Sequence, residues 1–395
     1  MLERALFRNS EDTFLIGIGC ENAFQLESTR QWHELDAFIE QHQDRTLFTL
    51  INYQLGADIL NVERKANELP LLRVWVPEST YLLQNDDYTF IEGKNTPAHL
   101  EAAKQLFQTP ADLSGAIHWK AKIDRATYIE RVNKLKEHIQ LGDVYEINFC
   151  QLFEADGIEL ESIQPFFQTL WNHNPTPFTA LVENTNWMLA SASPERFIRK
   201  QGKQLISQPI KGTAPRSATT AEDQKRIHEL ETNPKERAEN IMIVDLVRND
   251  LSQIATKGSV KVDELCKVYT FPTVHQLIST VSCELKENTR FSDILQAGFP
   301  MGSMTGAPKK AAVGLSEYYE GFSREFYSGS FGVIYPNGDF DLNVLIRTIV
   351  YNPKRKQLSC GVGGAITILS DAAAEYEECR AKVGKILALF GTCQW

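Results

Sequence analysis

Two pairs of glutamates and one lysine stand out as residues whose type and spacing can do chemistry. Glu236 and Glu239 are spaced i, i+3, as are Glu375 and Glu378, so on a helix each pair shares a face. Thr232 or Asn233 can cap a helix that has Pro234 in its first turn. Ser370 or Asp371 can cap a second helix, with Tyr376, Cys379, Val383, Ile386, Leu387 and Phe390 as its buried stripe. Both pairs then fall near the positive end of a helix dipole, which favours carboxylates. Carboxylate oxygens so arranged suit a hard divalent cation that keeps some water, hence Mg2+. Acidic first turns are also common for purely structural reasons, and the sequence does not show that the pairs converge. The lysine is Lys211, in the run Gln208-Pro209-Ile210-Lys211-Gly212-Thr213-Ala214-Pro215-Arg216. An amine between Pro and Gly-Thr on a short turn is placed like a reagent, whereas a solvated surface lysine needs no such rigidity.

The elements that position these groups can be read in part. Tyr128, Val132, Leu135 and Ile139 recur at helical spacing, and Gly142 closes that helix. Val144–Phe153 alternates as a strand, with Tyr145, Ile147 and Phe149 on one face and Glu146 and Asn148 on the other. The two polar residues could be solvated or line a polar cavity, and periodicity leaves both open. The first hundred residues read as strands and turns, for example Thr46–Tyr53 and Leu71–Pro77, followed by a polar stretch from Gln84 to Gly93. No internal repeat, low-complexity tract or Gly/Ser/Pro-rich linker interrupts the chain.

Composition narrows the function class. The 395 residues are 43% hydrophobic and 23% charged, enough for a large core. No apolar run approaches the ~20 residues needed to span a bilayer, and the N-terminus opens neither a signal nor a transit peptide. A formal charge of −10 argues against nucleic acid or an anionic membrane as partner, so an anionic substrate must be met by local cations. The 7 Cys are scattered and lack CxxC spacing, which reads as reduced thiols of a cytoplasmic protein, mostly small core fillers.

Several longer stretches resemble one family. Glu236-Arg-Ala-Glu239-Asn-Ile-Met-Ile-Val-Asp245-Leu-Val-Arg248-Asn249-Asp250-Leu251 is similar to the signature helix of chorismate-utilising enzymes. The same holds for His275-Gln276-Leu277, Gly302-Ser303-Met304-Thr305-Gly306-Ala307-Pro308-Lys309, Leu345-Ile346-Arg347-Thr348 and Glu375-Tyr-Glu-Glu378. The motifs run in family order from about Ile117 to the C-terminus. The resemblance therefore divides the chain into a weakly matched part, 1–115, and a chorismate-binding region, 116–395, within one compact unit. Phe24-Gln25-Leu26-Glu27-Ser28 loosely resembles the strand that holds tryptophan in relatives.

The resemblance implies an α+β fold: two large, mostly antiparallel sheets with outer helices and a cleft between them. It implies Glu239 and Glu378 as direct Mg2+ ligands, with Glu236 and Glu375 nearby through water, the metal holding the ring carboxylate of chorismate. Arg347 and Tyr327 match positions that grip the enolpyruvyl carboxylate, and a Gly363-Gly364-Ala365 turn and Ser303 add donors; Gly212 and Thr213 flank the lysine. Relatives often carry Gly where Ala365 stands. Glu195 matches the general acid that protonates the departing para hydroxyl, and His275 matches a position facing the same hydroxyl.

Within the family, Lys at position 211 resembles the aminodeoxychorismate synthases (component I), whereas anthranilate synthases usually carry Ala. The implied reaction is transaminase-type. Lys211 attacks the ortho carbon, then ammonia attacks the para carbon, giving 4-amino-4-deoxychorismate for 4-aminobenzoate and folate synthesis. A desolvated pocket near Mg2+ is expected to lower the Lys211 pKa. The alternatives are an anthranilate synthase component I and a non-catalytic metal-binding paralogue. Isochorismate and salicylate synthases activate water with a Lys at the position held here by Glu146. No glutaminase elements are recognisable, so ammonia is expected from a separate glutamine amidotransferase subunit, and a separate aminodeoxychorismate lyase is expected to act next.

Overall fold

Alternating apolar strands supply most of the architecture, and a computed structural model describes it for residues 2–9, 13–66, 68–108 and 117–395. Among the described residues the strands form two sheets, one of 12 strands and one of 10. The larger sheet runs Gly391–Gln394, Ile117–Ala121, Glu146–Asp156, Gln357–Ile366, Thr348–Asn352, Met188–Ser193, Phe178–Glu183, Arg4–Arg8, Phe14–Ile18, Ser79–Gln84, Asp87–Gly93. The two-residue strand Gly306–Ala307 pairs against Ile147 and Glu146. The smaller sheet runs Ile210–Pro215, Val274–Glu284, Gln204–Gln208, Arg196–Gln201, Phe340–Asn343, Ser330–Ile334, Leu47–Ile51, Leu72–Val76, Asn22–Leu26, with Lys261–Thr270 also paired to Val274–Glu284. Pairings are antiparallel apart from Gly391–Gln394 against Ile117–Ala121. This is the expected α+β arrangement of two large, mostly antiparallel sheets.

Three apolar layers hold it together. Ala5, Phe7, Val182 and Leu189 of the larger sheet meet Phe48, Leu50, Trp75, Phe331 and Val333 of the smaller one. The outer face of the larger sheet packs on the helices Arg125–Leu141 and Ala372–Leu387 through Phe149, Tyr128, Tyr376 and Cys379. The outer face of the smaller sheet packs on Pro234–Ser252 and Phe291–Gly298 through Leu205, Val281, Ile243 and Leu295. Burying such side chains gives ~1.5–3 kcal/mol each, so the helices that carry the glutamates are anchored along their length. Strands from residues 4–93 contribute to both sheets.

The helix at 125–141 ends as expected, with Gly142 at φ 86°. Asn233 caps Pro234–Ser252 by accepting from the Lys235 and Glu236 amides, and Asp371 caps Ala372–Leu387 by accepting from Ala374. Two features differ from the sequence reading. The first hundred residues also hold the helices Trp32–Gln41, Gln54–Ile59 and Pro97–Gln105, and the polar stretch ends in the strand Asp87–Gly93. Cys20, Cys150, Cys266, Cys283, Cys360, Cys379 and Cys393 are free thiols. Among the described residues no helix is long and apolar enough to cross a membrane.

Candidate active site

Lys211 lies in the strand Ile210–Pro215, not in a turn. Its register against Val274–Glu284 slips between Ile210, opposite Ile278, and Thr213, opposite Gln276. The extra residue makes a bulge, which re-aims a side chain. Gly212 completes it at φ 93°, where a Cβ would meet Glu236 Oε2 at 3.0 Å. Thr213 is exposed. The bulge sends the Lys211 amine inward, 11% exposed, to donate at 3.2 Å to Oε1 of Glu146, itself 1% exposed. The polar face of Glu146–Asp156 is thus buried among polar groups and is not solvated.

Burial pulls the Lys211 pKa down, yet Glu146, Glu239 and Glu195 together outweigh it and hold the pKa above the ordinary lysine value. The expected depression is therefore not a property of the protein groups alone; their negative charge keeps the resting amine protonated. Glu195 shows the reverse balance. Burial pushes its pKa up to about 7, against a hydrogen bond from Ser303 and the charge of Lys211. Ser303 Oγ donates to Glu195 Oε1 at 2.7 Å. A carboxyl in that range can give up a proton near neutrality.

The two glutamate pairs converge. Lys235 Nζ lies 3.8 Å from Glu239 Oε1 and 3.9 Å from Glu375 Oε1. Burial, reinforced by Glu146 and Glu236, raises Glu239 to about 7 against Lys211 and Lys235. Burial also raises Glu375. At Glu378, burial is outweighed by Lys382, Lys235 and Lys211, and the pKa falls. Among the described residues, no group of three or more His, Cys, Asp or Glu stands ready-made to hold a metal. The donor set nevertheless suits Mg2+: hard oxygens, excess negative charge, and a buried Glu239 Oε1 that accepts no hydrogen bond.

The remaining wall comes from Gln357–Ile366, Tyr327 and Arg347. Gly363, Gly364 and Ala365 lie within the strand opposite Cys150, Phe149 and Asn148, not in a turn. A Cβ on Gly363 would meet Asn148 Oδ1 at 2.4 Å and the Tyr327 hydroxyl at 3.2 Å; one on Gly364 would meet Glu375 Oε2 at 3.3 Å. These glycines let a tyrosine and a carboxylate close on the backbone. Arg347 has φ 52°. Its guanidinium makes no hydrogen bond or ion pair among the described residues, and burial pulls its pKa down. A desolvated, unengaged guanidinium is prepared for a carboxylate.

His275 is placed differently from the sequence expectation. It is wholly buried, with Nε2 2.9 Å from Asp223 Oδ1 and Nδ1 2.9 Å from Thr270 Oγ1. Its neighbours on that strand face, Leu277 and Ser279, also face helices, against Leu230 and Asn240. Both ring nitrogens are engaged there, so His275 has no free nitrogen for a substrate hydroxyl. Gln276, on the opposite face, has a buried Oε1 without a partner.

Sequence reasoning also passed over the Glu146–Lys211 pair and the bridging Lys235. An acidic residue on a polar strand face was the available signal for the first; nothing local signals the second. Two surface hollows of about 440 Å³, both lined by Lys200 and Phe340, contain none of these residues.

A cleft with one buried amine, facing carboxylate pairs and an unengaged guanidinium fits a small, multiply carboxylated substrate. The sequence model for chorismate binding enzyme matches residues 3–388. The chain belongs to the chorismate-binding enzyme family. That match begins well ahead of Ile117, where the motif resemblance begins.

Similar family members include aminodeoxychorismate synthase component 1 of Escherichia coli, 35% identical over 346 residues, 86% of this chain and 75% of that one. The Bacillus subtilis protein of the same name is 36% identical over 343 residues, covering 87% and 66%. Anthranilate synthase component I from Streptococcus pneumoniae shares the fold with TM-score 0.79 at 22% identity, over 95% of this chain and 92% of that chain. The menaquinone-specific isochorismate synthase of Escherichia coli gives TM-score 0.76 at 15% identity, over 98% and 88%.

Proposed function

We propose that this chorismate-binding enzyme aminates chorismate at the para position, giving 4-amino-4-deoxychorismate, as aminodeoxychorismate synthase component I. The observation that carries this reading is the buried Lys211 amine, set by its bulge beside Glu146 and within the field of Glu195 and Glu239. Similarity to relatives of that name supports it.

Glu236, Glu239, Glu375 and Glu378 are the residues to hold Mg2+, which supplies positive charge for the ring carboxylate of chorismate. Arg347 takes the enolpyruvyl carboxylate with its fork of donors, beside the Tyr327 hydroxyl and the Gly363–Gly364 backbone. Glu195, whose pKa of about 7 leaves a substantial protonated fraction near neutrality, gives its proton to the para hydroxyl, which leaves as water. Ser303 holds that carboxyl in place. Lys211 must shed a proton before it attacks the ortho carbon, and the Glu146 carboxylate is the acceptor within hydrogen-bonding distance. Ammonia then attacks the para carbon and the lysine leaves as a neutral amine. Ammonia comes from a separate glutamine amidotransferase, and a separate lyase consumes the product.

Incubation with chorismate, Mg2+ and ammonium, followed by product mass and absorbance, tests the reading. 4-Amino-4-deoxychorismate is the expected product. Anthranilate, isochorismate or unchanged chorismate would each refute it.

A further inference from the structure

Two oxygens on one face of the strand Glu146–Asp156 are buried and accept no hydrogen bond: Glu146 Oε2 and Asn148 Oδ1. The residues are 1% and 6% exposed. Leaving such groups without a partner costs ~1–3 kcal/mol each, more for a charge, so a site that retains two of them side by side is shaped for a donor. At positions i and i+2, both side chains point the same way from backbone positions ~6.6 Å apart. Each oxygen is fixed by what its partner atom does. Glu146 Oε1 is engaged by Lys211 at 3.2 Å. The Asn148 amide nitrogen donates to the Ser303 carbonyl at 3.4 Å, which turns Oδ1 towards Gly363. The vacant acceptors therefore lie between the amine assigned to the ortho carbon and the Gly363–Tyr327 wall assigned to the enolpyruvyl group.

We propose that Glu146 Oε2 and Asn148 Oδ1 are the ammonia-binding site of this cleft. Ammonia, as NH3 or NH4+, is small and rich in N–H donors, and two acceptors with no donor of their own match it. Glu146 and Glu239, joined by Glu195 in its ionised form, act on the single Lys211 amine, so the field there tolerates a second cation. A proton shared between Lys211 and Oε1 leaves Oε2 able to accept. In the NH3 form, which is the one that reacts, N–H bonds directed at these oxygens leave the nitrogen lone pair free for the ring. The inference rests on the amination reading and names where its nitrogen substrate sits.

Steady-state kinetics and thermal melting, with ammonium chloride as the probe, test it separately from that reading. Asn148→Ala is expected to raise the KM for ammonium about tenfold, the loss of one such hydrogen bond, while the KM for chorismate moves less than about twofold. In melting without chorismate, ammonium chloride should raise the wild-type Tm above tetramethylammonium chloride at equal ionic strength. That excess should vanish in both Asn148→Ala and the isosteric Glu146→Gln. An unchanged ammonium KM, an equal rise in both KM values, or an excess that survives in both variants would overturn the site. So would a Mg2+-induced shift lost in the variants while the ammonium shift persists. Absence of 4-amino product from wild type, with the melting excess behaving as expected, would remove the amination reading and leave the binding site standing.

Discussion

Ser303 and Glu195 share a 2.7 Å hydrogen bond at the floor of the cleft, and the bond opposes the burial that lifts the carboxyl to about 7. A general acid must be protonated to act, so turnover per unit of free ammonia should fall as pH rises through about 7. Removing the opposing bond should let the pKa climb, so Ser303→Ala should move that limb to higher pH. A limb that stays put or moves down would contradict the assignment.

The same shift has a stability consequence. The folded pKa of Glu195 exceeds its ordinary value of 4.5. Its stabilising contribution is therefore fully present below about 4.5 and is lost as pH rises through about 7. Glu195→Gln should be more stable than wild type at pH 8, by up to the order of 3 kcal/mol, and should lose that advantage near pH 4.5. Activity should drop by about 10²–10⁴. Urea titrations at the two pH values check the first part, and assays the second.

How much of this was legible before the fold was known differs by element. The helix at 125–141 and both glutamate helices announced themselves, because stripe, cap and closing residue agree. Trp32–Gln41 did not, since Asp36 is buried on it and is matched by Ser292, far along the chain. Asp87–Gly93 is polar because it is an edge strand with alternating exposure. Lys211 was recognisable as a placed amine, but its placement depends on a register slip against Val274–Glu284, a pairing that the local sequence does not encode. Convergence of Glu239 with Glu375 is likewise tertiary. His275 and Gln276 show the cost of a one-residue offset, since adjacent strand positions face opposite sides.

Covalent work by Lys211 predicts that Lys211→Ala loses most 4-amino product, with some nitrogen appearing at the ortho carbon instead. Lys211→Arg retains charge without a usable nucleophile, so it should fail as well. Full synthesis by the Arg variant would reduce the lysine to an electrostatic role. Mass spectrometry of wild type quenched without ammonia should find a ring adduct on the peptide containing Lys211.

Mg2+ binding by the facing glutamates predicts that Glu239→Gln and Glu378→Gln fold normally but show weak metal response. Because Glu239 titrates at about 7 without metal, protons compete with Mg2+ below that pH, and apparent affinity should weaken as pH falls. Calorimetric Mg2+ titrations at pH 6 and 8 read this directly. Equal affinities at both, or wild-type binding by both variants, would remove these carboxylates from the metal site.

Arg324 and Glu320 form the buried pair on which the cleft floor rests. Arg324 Nε donates to Glu320 Oε2 at 2.8 Å, and its other nitrogens reach the Met304 and Asn148 carbonyls, each at 2.8 Å. Glu320 Oε1 accepts from the Cys150 amide at 2.8 Å, and the guanidinium lies over the Tyr53 ring. The pair thus ties the strand bearing Glu146 and Asn148 to the segment bearing Ser303. Removing one partner strands a buried charge, so Arg324→Met should cost about 3–5 kcal/mol. Pairing it with Glu320→Leu should recover part of that, but not all, because the two carbonyls still lack their donor. The surviving folded fraction should show a raised KM for chorismate, since the segment bearing Ser303 loses its anchor, and a raised KM for ammonium, since Asn148 loses the same one. Denaturant unfolding of both variants decides the matter, and a single variant no less stable than the double would contradict this account of the pair.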